Sequence, residues 1–188
     1  MAGITTLNGS ISDSLRWSAS NDILGQQPLT QGDNVATTYN FGTGFATTAS
    51  GGADELASFL QVIAPGGSAT INLQSITNIL QQVGIALARL KGYKIRLLAA
   101  SGRGAIDSVN GTTCSSIQIG NAASNVNRLE MGADAHTYRI NNGGSHQHFD
   151  PSAAGFVAVT TTTRNILITN NDASIAAAVQ VTLIGATT

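Results

Sequence analysis

Residues 164–185 read RNILITNNDASIAAAVQVTLIG. In the second half Val179, Val181 and Leu183 alternate with Gln180 and Thr182, the period of two that places apolar side chains on one face of a strand. RNILITN (164–170) has the β-branched and aliphatic content of a second strand, and the Asn-Asp pair between the two is a turn signal. Reading back from this pair, FVAVTTTT (156–163), SHQHF (145–149), the residues from Thr137 to Ile140, and CSSIQIG (114–120) all fit short strands. A strand about every ten residues, with Gly, Asn or Ser between, is the rhythm of a sandwich or barrel and not of βαβ units. The fold class expected is therefore all-β: an antiparallel jelly-roll-like sandwich.

The preceding residues extend the pattern. ELASFLQVI (55–63), the turn Pro65-Gly66-Gly67 and SATINLQSI (68–76) read as strand, turn and strand. A short helical turn is expected in QSITNILQQV (74–83), where Ile76, Ile79, Leu80 and Val83 fall at helical spacing. IALARLKGYKIRLLAAS (85–101) is long enough for a helix, but Leu90, Tyr93, Ile95 and Leu97 around Gly92 fit a straight or bent strand better. Residues 101–113 form a Gly/Ser/Asn loop. Residues 1–52 differ in kind. ITTLNGSISDSLRW (4–17) alternates, SNDILGQQPLTQGDN (20–34) is broken by Gly25, Pro28 and Gly32, and VATTYNFGTGF (35–45) reads as a strand. With few core-grade residues for its length, 1–52 is expected to be an extended N-terminal arm that docks on a neighbour, and 53–188 the sandwich body.

Charged residues are only 10% of the 188 and the formal net charge is −1, where an average soluble domain has roughly 25% charged. Thr, Ser, Asn, Ala and Gly fill the deficit. Such a surface packs against copies of itself without stranding many ions. It does not suit nucleic acid, since only Lys91 and Lys94 are lysines and no basic stripe forms. No run approaches the 18 or so apolar residues of a membrane span, and the first residues lack a signal-peptide pattern. Cys114 is the single cysteine, so no internal disulfide forms. The sequons at Asn8 and Asn110 read as chance matches. A soluble protein made in the cytoplasm is expected.

Four patterns invite a chemical reading. His146 and His148 stand at i and i+2 of one strand, with Asp150 beyond. Cupin metal sites open in a similar way, but they continue with a Glu a few residues later and a further His on a later strand. Here Asp150 comes too soon, Pro151 ends the strand, and neither Glu nor His follows. The pair is thus an incomplete ligand set, read as a polar strip, and no metal or other cofactor is expected unless symmetry joins copies of the pair. Ser145, His146 and Asp150 are too close in sequence to converge as a triad. FGTGFATT (41–48) has the letters of a GxG turn without the helix that grips phosphate. Cys114 reads as core, and Arg89, Lys91, Lys94 and Arg96 as a solvated strand face. No catalytic residue is expected.

The order INLQSITNIL, ALARLKGYKIRLLAAS, CSSIQIGNAASN, NNGGSHQHFDPSAAGFVAV, RNILITNNDAS, VQVTLIGA resembles a group of small structural proteins of tailed bacteriophages. The group's Ala/Val-Arg-x-Lys element corresponds to Ala88–Lys91. Its Gly-Gly turn and Asp-Pro-x-x-x-Gly-Tyr/Phe element correspond to Gly143, Gly144, Asp150, Pro151, Gly155 and Phe156, and its closing Ile-Gly-Ala/Ser to Ile184, Gly185 and Ala186. SHQHF departs from the aliphatic residues usual there. The resemblance covers about 53–188. It implies a non-enzymatic virion protein, a capsid decoration or cement protein, whose partners are the major capsid protein and copies of itself, as a homo-oligomer such as a trimer. A tail fibre or spike, a glycan-binding β-module and a cupin-type metalloprotein are the alternatives.

Overall fold

The computed structural model describes residues 8–21, 29–42, 52–77, 83–98, 114–127, 129, 136–150, 152–156 and 158–188. Among them are ten strands and no helix: β1 Asn8–Asn21, β2 Leu29–Gly42, β3 Glu55–Ile63, β4 Ser68–Asn72, β5 Arg89–Leu97, β6 Ser116–Gly120, β7 Thr137–Asn141, β8 Ser145–Phe149, β9 Asn165–Asn170 and β10 Ala177–Ala186. β1 and β2 pair antiparallel, from Asn8 opposite Gly42 to Asn21 opposite Leu29, as a sheet of their own. The other eight make two four-stranded antiparallel sheets, ordered β3-β10-β5-β8 and β4-β9-β6-β7. The protein is an all-β sandwich.

Alternation builds the core as the sequence implies. Val179, Val181 and Leu183 of β10 are buried, and β10 is hydrogen-bonded on both sides, to β3 and β5. From the other sheet Ile117, Ile119, Ile166 and Ile168 meet them in one apolar cluster, with Ile95 and Leu97 of β5. Each fully buried aliphatic side chain contributes roughly 1.5–3 kcal/mol, so this cluster holds the two sheets face to face. The strand orders leave β3 and β4 at one pair of sheet edges and β8 and β7 at the other.

Several expectations change. FVAVTTTT is not a ladder strand: Ala158 makes an isolated bridge to Arg89, and Thr160–Thr163 close a turn of side-chain hydrogen bonds. Hydroxyls bonded to their own neighbouring backbone compete with strand pairing. In 74–83, Gln74 and Ser75 are in a turn and Ile76 bridges Ile85 across the chain, so no helix starts there; residues 78–82 lie outside the described residues. Gly32 sits inside the β2 ladder opposite Ser18 and does not break it. The 101–113 loop, the GxG stretch from 43 onward and Asn110 lie outside the described residues.

Candidate functional site

The histidine pair is placed by β8, an edge strand whose only ladder partner among the described residues is β5. His146 lies opposite Ile95 and His148 opposite Tyr93. The two rings have different neighbours. His146 stacks on Tyr138 of β7, with centroids 4.3 Å apart, and tilts against Tyr93 at 5.7 Å; His148 tilts against Phe156 at 5.4 Å. Because Tyr138 belongs to the opposite sheet, the His146 stack is a contact between sheets at this flank. Ring contacts of this kind contribute about 0.5–1.5 kcal/mol beyond their burial. Among the described residues, no three His, Cys, Asp or Glu side chains group as a metal site requires. Asp150 accepts from the Ser152 amide at 2.9 Å and shapes the loop after the pair.

The charged strand face is where the sequence misleads most. Lys94 and Arg96 are exposed, but Lys91 is fully buried at 0% exposure. Lys91 has the strand parity of Tyr93, Ile95 and Leu97, all buried, so alternation turns it inward, while Lys94 and Arg96 fall on the other face. A bulge adjoins it, with Ile184 facing Gly92 and Gly185 facing Leu90. Lys91 Nζ donates to the carbonyl oxygens of Ser152 and, at 2.7 Å, of Ala153. Burial pushes the ammonium pKa down and the positive charge of Arg89 adds to this, while Asp150 opposes them.

Around Lys91 three separated segments meet. The Asp150 and Phe156 amides donate to the carbonyls of Lys91 and Leu90, at 2.9 and 3.0 Å, and the Ala88 amide donates to Ala186 at 2.8 Å. Gly155 has φ +68°, and a Cβ there would come within 2.5 Å of Leu90 O. At Gly185 a Cβ would come within 2.7 Å of Arg89 O. Glycine is required at both places because backbone occupies the space of a side chain. Ala88–Lys91, Asp150–Phe156 and Ile184–Ala186 thus form one structural knot. Every polar group named in it is engaged in holding a loop to a strand.

A second knot lies at the other end of β10. Asn170, 1% exposed, donates from Nδ2 to the carbonyls of Ile175 and Ala64 at 2.8 and 3.1 Å. Its Oδ1 accepts from the Asp172 amide at 2.9 Å and from Cys114 Sγ at 3.1 Å. Cys114 is buried here, a structural thiol. Asp172 accepts from the amides of Ser174, Ile175 and Ser115, and those from Ser174 and Ser115 lead in holding its carboxyl below the usual range.

No protein-family model matches the chain, and no curated protein matches it.

Proposed function

We propose that the chain is a non-enzymatic virion structural protein of a tailed phage, a decoration or cement protein of the head shell that binds the major capsid protein and copies of itself. The observation that carries the reading is the knot at Lys91. Three of the separated sequence elements behind the phage resemblance lie together, Asp150–Phe156 and Ile184–Ala186 each bonded to Ala88–Lys91, and their polar groups are spent on backbone positioning. The strand orders β3-β10-β5-β8 and β4-β9-β6-β7, with the chain changing sheet at every connection except β6 to β7, support a jelly roll as the finer description of the sandwich.

The N-terminal hairpin supports an adhesive role. A two-stranded hairpin is marginal by itself in water, so strands of this length gain their stability by lying on something else. A shell or a neighbouring copy serves that purpose, and many weak linked contacts raise the effective concentration of the rest. Leu60 and Val62 of edge strand β3, 46% and 44% exposed, add apolar surface for such contacts.

The test has two parts. Native mass measurement is expected to give a multiple of the chain mass, and a solitary monomer at working concentration would overturn assembly. Shells of a candidate major capsid protein are then mixed with purified protein and sedimented. The full chain is expected to travel with shells and to raise their disruption temperature, while a chain lacking 1–52 stays behind. A full chain that ignores shells and sediments with tails would replace the head assignment with a fibre or spike.

A further inference from the structure

At the flank where β3 and β4 are both outermost strands, a cleft with a volume of about 340 Å³ opens between the sheets. It lies at the lower end of the roughly 300–1,000 Å³ of small-molecule clefts. Phe59 and Gln61 of β3, Thr70 and Asn72 of β4, and Ser75 and Thr77 just beyond line it, over Ile71 and Ile76. Its chemistry restricts the occupant. Among the described residues no lining side chain is ionisable, so a charged ligand would lose water and find no counter-charge there. Every polar lining side chain among them is a hydroxyl or a carboxamide, able both to donate and to accept. Two of them have their roles set. Asn72 Oδ1 accepts from the Gln74 amide at 3.0 Å, which leaves its NH₂ as the donor it offers; Gln61 Nε2 donates to Val62 O at 3.0 Å, which leaves Oε1 as an acceptor. Phe59 is half-buried and packs against the core, so part of its ring remains for a ligand.

We propose that this cleft binds a neutral saccharide, with the Phe59 ring against the C–H face of a pyranose and the Gln61 and Asn72 amides bonded to its hydroxyls. A pyranose has one apolar face and hydroxyls that donate and accept in turn, the combination that this lining offers. The inference stands apart from the virion reading, since it uses none of the residues of the Lys91 knot and none of the arm.

The probe is an array of neutral hexose, deoxyhexose and N-acetylhexosamine oligosaccharides with sialylated and sulfated controls, applied to the full chain in its native assembly. Binding to a neutral class is expected, followed by titration of the best ligand in solution. Asn72→Ala and Gln61→Ala are each expected to weaken it about tenfold, the usual effect of a lost ligand hydrogen bond or two, with melting temperature and shell attachment unchanged. Phe59→Leu keeps an apolar side chain for the core and is expected to abolish binding. No neutral binder, a preference for the acidic controls, or indifference to both amide variants overturns the proposal. So does a loss of self-assembly in those variants, which would make the cleft a subunit contact. Intact shell attachment alongside absent sugar binding sinks this inference alone.

Discussion

The two knots at the ends of β10 solve the same problem with different chemistry. Each takes one buried polar side chain and uses it to hold loop carbonyls against a strand. At one end Asn170 is neutral, and it both donates to and accepts from its surroundings. At the other Lys91 is an ammonium that only donates, and burial works against its charge. A carboxamide enters the interior at little cost once its hydrogen bonds are made, whereas a buried cation keeps a desolvation penalty that its partners only offset. The Asn170 end is therefore expected to contribute more to net stability than the Lys91 end, although the lysine has the larger charge.

Replacing the two residues tests that ranking. Asn170→Ala removes the donor from the Ala64 and Ile175 carbonyls and the acceptor from Asp172, all in a buried place. A loss of about 3–5 kcal/mol is expected, since each buried group left unpaired costs roughly 1–3 kcal/mol. Urea unfolding checks it, and a loss under about 1 kcal/mol would mean that water replaces the side chain. Gly155→Ala strikes the other knot through the backbone, combining a left-handed φ with a Cβ placed 2.5 Å from Leu90 O. About 2–4 kcal/mol is expected, in line with strain of this kind. Lys91→Met keeps the stem volume, gives up the hydrogen bonds and removes the desolvated charge, so a net loss of only about 1–2 kcal/mol is expected at neutral pH. A loss equal to that of Asn170→Ala would erase the distinction between the knots.

The comparison also shows what could be read in advance. Strands β3, β6, β9 and β10 were legible because each declares itself within its own residues, by alternation bounded by turn signals. The Lys91 knot was not. Alternation alone puts Lys91 on the face of Tyr93, Ile95 and Leu97, apart from Lys94 and Arg96. Yet its charge reads as solvated until the Ser152 and Ala153 carbonyls, some sixty residues away in sequence, are seen to receive it. The histidine pair stands in plain view in the sequence, but its ring partners Tyr138 and Phe156 became visible only with the sheets in place. The β3–β4 cleft left no motif at all. Its residues are ordinary Gln, Thr, Asn and Ser, and their convergence depends on which strands end up as edges.

The smallest expected effect concerns pH, with the same sign at the two ends but in different windows. For Lys91 the folded pKa lies below the unfolded value of 10.5, so the folded protein binds fewer protons in the window between them. Stability contributed at that end therefore rises as pH climbs through the lowered pKa toward 10.5. For Asp172 the folded pKa lies below 3.8, so its contribution is present above 3.8 and is lost as pH falls through the folded value. Acid should loosen the Asn170 end, where the Asp172 carboxylate accepts from Ser115, Ser174 and Ile175, and leave the Lys91 end in place. Asp172→Asn is expected to flatten the acid limb of melting temperature against pH while leaving the alkaline limb unchanged; Lys91→Met should do the reverse. Hydrogen exchange supplies the spatial check. Below pH 3.8 the Ser174 and Ile175 amides should lose protection before the Asp150 and Phe156 amides, and loss of both pairs together would show that the two ends open as one unit.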